Sequence, residues 1–210
     1  MAPYIKSKNA NTHGMTLTEL LVASVMIGIV MVGVASFSLA IKNLQRSTDK
    51  TVIVALKTKA VMARLTQDAV LAVGDEQDRG VVTRATGQNN SVCFRQDLLN
   101  TPDDYTGDTW VCYYRGNTRV LHRCVNPSFS IPPGCASLAQ CCNGATLDET
   151  LITLADSSGP IGTIVENAAG NLEYIDLILT VRHIYNQPEH PIDNPEYTLS
   201  TQVSPQAHSR

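Results

Sequence analysis

The feature that most constrains this chain is an uncharged apolar run of 22 residues, 20–41, near the N-terminus. A helix rises about 1.5 Å per residue, so this run would be about 33 Å long, enough to cross the hydrocarbon core of a bilayer. A helix that is apolar on every face rarely belongs to the core of a soluble domain. The run therefore predicts a membrane-spanning helix.

A cleaved secretory signal peptide is the main alternative for this run. The apolar region of a signal peptide has about 7 to 15 residues and ends in a small-residue cleavage site. Here the run is longer, and Lys42 follows Ile41 without such a site. The first cysteine is Cys93, so no lipoprotein cysteine lies near the run. The pattern favours a helix that the mature protein retains.

The residues that precede the run carry a more specific signal, HGMTLTELLVA at 13–23. This segment closely resembles the processing site of type IV prepilins. The resemblance implies a short basic leader, 1–14, cleavage after Gly14 by the prepilin peptidase, and methylation of the new N-terminus at Met15. The family usually has phenylalanine where Met15 stands. It also has a glutamate at the fifth mature position, which is Glu19 in this chain.

Glu19 lies one residue before the apolar run, where a carboxylate usually has a function. Cleavage would give Met15 a positively charged amine, and an unpaired charge is costly inside an apolar helix bundle. A carboxylate four residues further along a helix can neutralise the amine of its own chain or that of a neighbouring subunit. The resemblance implies the second use, in which Glu19 sets the register of subunits during assembly.

The helical pattern continues beyond the apolar run. No glycine or proline occurs between Asn43 and Val73, and good helix formers recur there. A helical wheel gives this segment a polar stripe and two apolar faces, which suits a helix packed on its own head and on other subunits. The members of these faces are Lys50, Lys57, Arg64 and Asp68 for the stripe, Val52, Leu56, Ala63 and Val70 for one face, and Val54, Val61, Leu65 and Ala69 for the other. Gly74 and Asp75 are the predicted stop.

The composition changes after Gly80, where short β-prone segments alternate with turn residues. Residues 74–210 carry eight Lys or Arg against sixteen Asp or Glu, and this acidic balance disfavours a dedicated nucleic-acid binder. The predicted strands are 81–84, 91–95, 109–115, 118–125, 151–155, 172–184 and 197–203. With the long helix they predict an α+β fold. A pilin-like helix whose first half spans the membrane would pack on an antiparallel β-sheet head.

All six cysteines lie in this head: Cys93, Cys112, Cys124, Cys135, Cys141 and Cys142. An even number confined to the exported part of a chain predicts disulfide bridges. Zinc is the alternative, because thiolates also bind zinc, but only His122 and Cys124 have a suitable spacing. The cysteine pattern therefore favours disulfides and an oxidising compartment.

A β-hairpin is predicted around Gly116 and Asn117, two residues that tolerate the positive φ of a tight turn. With a two-residue loop, Cys112 lies opposite Leu121, and Cys112 and Cys124 point to opposite faces of the sheet. This register favours a bridge from Cys93 to Cys112 on neighbouring strands. Cys124 would then be tied to the cysteine-rich loop that follows the hairpin.

The search for catalytic motifs is negative. The sequence has no nucleophile elbow, no H-E-x-x-H and no phosphate-binding loop, so we predict neither an enzyme nor a cofactor. Three carboxylates, Asp103, Asp104 and Asp108, form the densest oxygen cluster and could bind calcium. A solvated acidic turn is the preferred interpretation, because no bidentate glutamate follows at the spacing of a calcium loop.

The functional hypothesis is a structural minor subunit of a type IV pilus or of the related type II secretion pseudopilus. The C-terminal segment 172–203 is similar to the ends of minor pilins of the W kind and of J-type pseudopilins. The resemblance implies these partners: other pilins or pseudopilins, the prepilin peptidase, the inner membrane and its assembly platform. It implies an inner-membrane protein with a periplasmic head that later enters a filament. The predicted parts are a leader 1–14, an anchor and assembly helix 15–41, its periplasmic continuation 42–73, and a head 74–210.

Two alternatives stay open. One is a major pilin. The other is a binding module, an adhesion or DNA-uptake pilin whose head binds nucleic acid through arginines and aromatic side chains of the hairpin. The candidates are Trp110, Tyr113, Tyr114, Arg115, Arg119 and Arg123. The two-residue loop would put Trp110, Tyr114, Arg119 and Arg123 on one face of the hairpin.

Overall fold

The computed structural model describes residues 15–74, 80–86, 89–97, 108–116, 118–126, 142, 147–155, 159–168 and 172–205. These residues form one long helix followed by eight strands. The elements are α1 (Leu17–Val70), β1 (Val81–Thr86), β2 (Asn89–Gln96), β3 (Thr109–Arg115), β4 (Val120–Asn126), β5 (Leu147–Thr153), β6 (Gly162–Glu166), β7 (Leu172–Arg182) and β8 (Glu196–Val203). The α+β class predicted from the sequence is confirmed.

The helix ends four residues before the predicted stop at Gly74. Its last residue is Val70, and the amide of Val73 donates instead to the carbonyl of Arg95 on β2, at 2.9 Å. Gly80, just before β1, has a φ of 65°. A Cβ at Gly80 would lie 2.1 Å from the Val73 carbonyl oxygen, so only glycine fits this close approach. The end of the helix is thereby fastened to the first two strands.

The strands form two antiparallel sheets. The first is a five-stranded meander in the order β1-β2-β3-β4-β5, and the second has the order β6-β7-β8. Strand β6 was not predicted, because it is short, begins at a glycine and lacks a regular apolar alternation. Strand β5 begins at Leu147, four residues before the predicted start. The other predicted strands are confirmed in position.

The core lies where the second half of α1 meets both sheets. The buried helix residues include Val54, Val61, Leu65 and Ala69, which is one of the two predicted apolar faces. The other predicted face is largely uncovered, since Val52 is 47% and Leu56 is 61% exposed, but Val70 at its end packs against the core. The sheets contribute large buried side chains to the same cluster, among them Phe94, Val111, Tyr113, Leu121, Ile175, Leu177 and Leu179. The helix therefore uses one apolar face for its own head and leaves most of the other exposed.

The register of the β3–β4 hairpin differs from the prediction. Arg115 pairs with Leu121 and Cys112 with Cys124, so the connection spans residues 116–120 rather than two residues. Arg119 takes a φ of 60°, and its amide donates to the Gly116 carbonyl at 2.9 Å. A shift by an odd number of residues reverses the face of every side chain. The prediction that Cys112 and Cys124 point to opposite faces was therefore wrong.

Candidate functional site

The start of α1 is closed by a reciprocal set of hydrogen bonds between Thr16 and Glu19. The Thr16 amide donates to Glu19 Oε2 at 2.9 Å, and the Thr16 hydroxyl donates to the same oxygen at 3.0 Å. The Glu19 amide donates to Thr16 Oγ1 at 3.3 Å. This is a capping box, in which two orphan amides of the first turn are satisfied by side chains.

The sequence analysis did not predict the capping role of Glu19, although the T-x-x-E spacing of residues 16–19 is the signature of a capping box. The arrangement also positions the carboxylate. Glu19 Oε2 lies 2.9 Å from the backbone nitrogen of Thr16, the residue that directly follows Met15. The carboxylate is thus held close to the atom that an N-terminal cut before Met15 would charge. Gly14 itself lies outside the described residues.

The first half of α1 exposes its apolar side chains on all sides. Every large apolar residue from Met15 to Leu44 is more than a third exposed, and Leu17 is 81% exposed. Among the described residues one helix is long and apolar enough to span a membrane, and its most apolar 18-residue stretch is wholly unburied within the chain. Such a surface requires lipid or another protein as its partner.

Three serines within this apolar segment are satisfied by the helix itself. Ser24, Ser36 and Ser38 each donate a hydroxyl hydrogen bond to a carbonyl of the preceding turn, at 2.8 to 2.9 Å. Because each hydroxyl already has an acceptor, none of them needs water. The segment is therefore compatible with an apolar environment along its length.

The second half of α1 carries a buried polar network that the sequence reasoning missed. Asp68 was assigned to the polar stripe, but it is buried and faces the sheet. Its Oδ2 accepts a hydrogen bond from Tyr113 Oη at 2.6 Å and one from Arg123 Nε at 2.8 Å. Its Oδ1 accepts from Arg123 Nη2 at 3.2 Å and from Gln96 Nε2 at 3.3 Å. The network joins the helix to β2, β3 and β4.

This network shifts the pKa of two of its members, Tyr113 and Arg123. Burial, together with the negative charge of Asp68, raises the pKa of the Tyr113 hydroxyl well above its ordinary range. Burial acts to lower the pKa of Arg123, but hydrogen bonding to Asp68 and the attraction of its charge raise that pKa overall. At neutral pH Tyr113 is therefore a neutral phenol and Arg123 a guanidinium.

The hairpin does not form the exposed aromatic and basic face that the binding-module alternative needs. Trp110, Tyr113 and Tyr114 are at most 5% exposed, and no aromatic side chain of the described hairpin is available for base stacking. Arg123 pairs with Tyr113 in the sheet register and faces α1. Arg115 is also buried, and Arg119 is partly exposed. The prediction that Arg123 shares a face with Trp110 and Tyr114 was wrong because the register differs.

Of the three carboxylates proposed for calcium, only Asp108 lies within the described residues. Its side chain is fully buried and forms an ion pair with the equally buried Arg95. A carboxylate engaged by a buried guanidinium is not a free ligand for calcium. Asp108 is therefore not available as a calcium ligand. Asp103 and Asp104 lie outside the described residues.

The described cysteines form two bridges. Cys93 and Cys112 lie directly opposite each other on β2 and β3, with Cα atoms 4.0 Å apart, and they are joined as the sequence reasoning favoured. Cys124 on β4 is joined to Cys142, with Cα atoms 5.3 Å apart. Cys135 and Cys141 lie outside the described residues. Trp110, Tyr114 and the Cys93–Cys112 bridge form a second buried cluster, on the face of the sheet turned away from α1.

Comparison with protein families gives a match in the N-terminal segment. Residues 9–35 match the model of the prokaryotic N-terminal methylation motif. No curated protein and no solved structure matches the chain significantly. The matched segment contains Gly14, Met15, the capping box and most of the exposed apolar run.

The matched motif and the fold support the same functional class. Together with the long helix packed on antiparallel sheets, the motif indicates a structural subunit rather than an enzyme. It fits anchoring in a membrane followed by pilus assembly, and it implies other pilin subunits and the prepilin peptidase as partners. The N-terminal methylation motif places this chain in the type IV prepilin-like superfamily.

Proposed function

We propose that this chain is a minor subunit of a type IV pilus or of a related pseudopilus. In this proposal the prepilin peptidase removes residues 1–14 by cleaving after Gly14 and methylates Met15. The helix then anchors the subunit in the bacterial inner membrane, with the head in the periplasm. An inner-membrane assembly platform transfers the subunit into the filament, where α1 packs against other pilins or pseudopilins.

The observation that carries this proposal is the exposed apolar half of α1. Its large side chains are exposed in the described chain, and its serine hydroxyls are internally satisfied. Lipid tails can cover such a surface before assembly, and the helices of other subunits can cover it afterwards. One surface would thus serve as membrane anchor and as polymerisation surface.

The geometry of Glu19 supports its role in assembly. Its carboxylate is held at the first turn by Thr16, next to the position of the Met15 amine in the cleaved chain. In the membrane this end of the helix lies near the wet interface, where a charge is tolerated. In a filament the amine would be enclosed by apolar helices, where it needs a counter-charge. The carboxylate of Glu19 supplies that charge, within the chain or to a neighbour.

The second half of α1 offers further surface for other subunits. Val52 and Leu56 belong to the apolar face that the head leaves uncovered, and both are exposed. Apolar side chains at helical spacing on one face are suited to packing against a second helix. We assign this face to contacts between subunits in the filament.

The cysteines of the head favour a periplasmic location for it, whereas one charge pattern favours the cytoplasm. Lys42, Arg46 and Lys50 follow the apolar run, and positive residues usually remain on the cytoplasmic side. However, disulfide bridges persist in oxidising compartments such as the bacterial periplasm, and the described head contains two. The leader is also cut on the cytoplasmic side in this superfamily. We therefore assign the head to the periplasm.

The size and chemistry of the head favour a minor subunit over a major one. Removal of the leader would leave a mature chain of 196 residues, and its head contains all six cysteines. A large head that is cross-linked by disulfides suits a specialised position, such as the tip, better than a repeating shaft.

The variant Glu19→Gln tests the assembly role. Glutamine also serves in a capping box, so the first turn is preserved while the counter-charge is lost. An unpaired buried charge costs several kcal/mol, so incorporation into sheared filaments, normalised to the membrane level, should fall at least about tenfold. Thr16→Ala is the matched control, because it removes the hydroxyl bonds of the capping box but keeps the carboxylate and the backbone amide of residue 16 that donates to it; it should be incorporated almost normally. Wild-type incorporation of Glu19→Gln would refute the pairing role.

A further inference from the structure

A groove of about 560 Å³ runs beside β5, the last strand of the five-stranded sheet. Its floor includes the buried side chains of Val54 and Val61 on the second half of α1, and one wall consists of the consecutive β5 residues 150–153. The opposite wall is the end of β7 and the residues that follow it, among them His183 and Tyr185. The groove is thus bounded by the helix and by one strand of each sheet.

The two sheets touch at one end of this groove and are unpaired along it. The amide of Ala155, just after β5, donates to the carbonyl of Thr180 on β7 at 2.8 Å. Among the described strands β5 pairs with β4 alone, so its other edge has no strand beside it. The four β5 residues that line the groove extend about 13 Å at 3.3 Å per residue. This edge has room for a short added strand.

The backbone of Thr153 faces the groove. The amide of Leu154 donates to the carbonyl of Arg119, on the β4 side, at 2.9 Å. In an antiparallel ladder this bond makes the neighbouring pair, Val120 and Thr153, a pair that exchanges no hydrogen bonds. The amide and the carbonyl of Thr153 therefore point away from β4. An edge with outward-facing donors and acceptors is a template for a further strand.

The charge of the groove is the reverse of that of the head. Residues 74–210 carry sixteen acidic against eight basic residues, but the residues that line the groove include Lys57, Arg182 and His183 and no acid. Arg182 is neutralised by Glu196. Within the described part of the chain, the side chains of Lys57 and His183 have no hydrogen-bond or ion-pair partner. The groove therefore presents an uncompensated positive charge beside an apolar floor, which is complementary to an acidic partner.

We propose that this groove binds an extended acidic segment of another subunit, which adds to the free edge of β5 as an extra strand. The backbone of that segment pairs with Thr153, its apolar side chains pack on Val54 and Val61, and a carboxylate pairs with Lys57. In this mode of recognition main-chain hydrogen bonds give affinity and side chains give specificity. The chemistry of the bound segment follows from the groove itself, whereas its assignment to a neighbouring filament subunit rests on the proposed function.

Binding of defined peptides to the full chain in detergent micelles tests this chemistry. The probe is a fluorescent octapeptide of alternating valine and glutamate, and its control has lysine in place of glutamate. Fluorescence anisotropy at about 0.15 M salt, which screens distant charges, gives both dissociation constants. We expect the acidic peptide to bind at least about tenfold more tightly. Two acidic peptides methylated on alternate backbone amides, one in each register, test strand addition, and at least one should bind at least about tenfold more weakly.

A pair of lysines on α1 provides matched variants. Lys57→Glu should weaken binding of the acidic peptide at least about tenfold, because it places a carboxylate in the groove. Lys59→Glu is the control, since Lys59 is also exposed but lines a separate groove beside β8, and it should leave binding unchanged. Equal affinity for the acidic and basic peptides, equal effects of the two substitutions, or full binding of both methylated peptides would overturn the proposal.

A photoreactive residue tests the source of the segment. Benzoylphenylalanine replaces Tyr185, an aromatic groove residue that is 40% exposed, or, as control, Lys59. Sheared filaments from the native host are irradiated, and the cross-linked peptides are sequenced by mass spectrometry. Position 185 should join an acidic segment of a different filament subunit, and position 59 should not join that segment.

The outcomes of this cross-linking separate the two proposals. A cross-link from position 185 to a second copy of this chain, to a segment without acids, or to no subunit of a filament that contains this chain contradicts the assignment to a neighbouring subunit. If the chain enters no filament but binds the acidic peptide through Lys57, the proposed function fails and the recognition chemistry of the groove is retained.

Discussion

The two halves of α1 belong to one uninterrupted helix, but their apolar side chains have opposite environments. From Leu17 to Gln45 the apolar side chains are exposed in every direction, and the hydroxyls of Ser24, Ser36 and Ser38 are satisfied by the helix itself. From Arg46 to Val70 one face is buried in the head, and that face includes the charged side chain of Asp68. Uniform apolarity thus marks the half whose partners lie outside the chain, whereas periodic apolarity marks the half whose partners lie within it.

The comparison also explains why the buried charge lies in the second half. In the first half a charge would have no fixed partner before assembly, and Glu19 accordingly lies at the helix end. In the second half the folded sheets provide Arg123 and Tyr113 at fixed distances from Asp68. The buried charge of this helix is therefore found where the fold itself provides its partners.

The largest change in the free energy of unfolding is expected when the Asp68–Arg123 ion pair is broken. Asp68→Asn leaves Arg123 buried without a counter-charge, and it should lower the free energy of unfolding by about 3 to 5 kcal/mol. The measurement is urea denaturation followed by the fluorescence of Trp110, the single tryptophan of the chain, which is 1% exposed. The full chain is studied in detergent micelles.

A matched ion pair serves as control for this prediction. Arg64 and Glu149 also join α1 to a strand, but their side chains are 39% and 37% exposed. Solvent screens such a pair, so Glu149→Gln should cost less than about 1 kcal/mol. Equal costs for Asp68→Asn and Glu149→Gln would show that burial of the Asp68 network contributes nothing.

A smaller loss of stability is expected from truncation of a buried leucine in the second half of the helix, and an exposed leucine of the same half is its control. Leu65 is 0% exposed and Leu56 is 61% exposed. Leu65→Ala should cost about 3 kcal/mol through lost burial and the cavity left behind, whereas Leu56→Ala should leave the stability of the head almost unchanged. If Leu56→Ala destabilised the isolated subunit as much as Leu65→Ala, the exposed face would not be free for other subunits.

The smallest effect concerns pH. The pKa of Tyr113 is raised in the folded state by burial and by Asp68, so the neutral phenol is the form that the fold prefers. The resulting stabilisation is complete below the ordinary tyrosine pKa of about 10, and it is lost as the pH rises above that value. Between pH 9 and pH 11 the wild type should lose about 1.4 kcal/mol more than Tyr113→Phe, measured by urea denaturation. An identical pH dependence in both proteins would contradict the described environment of Tyr113.

The sequence was most informative where one local pattern decides the structure. The apolar run, the G-M-T-L-T-E segment and the alternating strands were all readable, because each depends on residues that are close in the chain. The register of the β3–β4 hairpin could not be predicted in this way, because it depends on the conformation of Arg119. This residue takes a positive φ, and its carbonyl accepts a hydrogen bond from the amide of Leu154, which lies in a distant segment. Asp68 looked like a solvent-facing acid for the same reason, because its partners are Tyr113 and Arg123, 45 and 55 residues away.

Intact mass spectrometry of the protein from its native host tests whether this chain is processed as a prepilin. We expect a mature chain that begins at Met15, lacks residues 1–14 and carries one added methyl group at its N-terminus. Replacement of Gly14 by a bulkier residue should leave the leader attached. A soluble product that begins after Ile41, or an unmodified chain that retains residues 1–14 beside an active prepilin peptidase, would contradict the account.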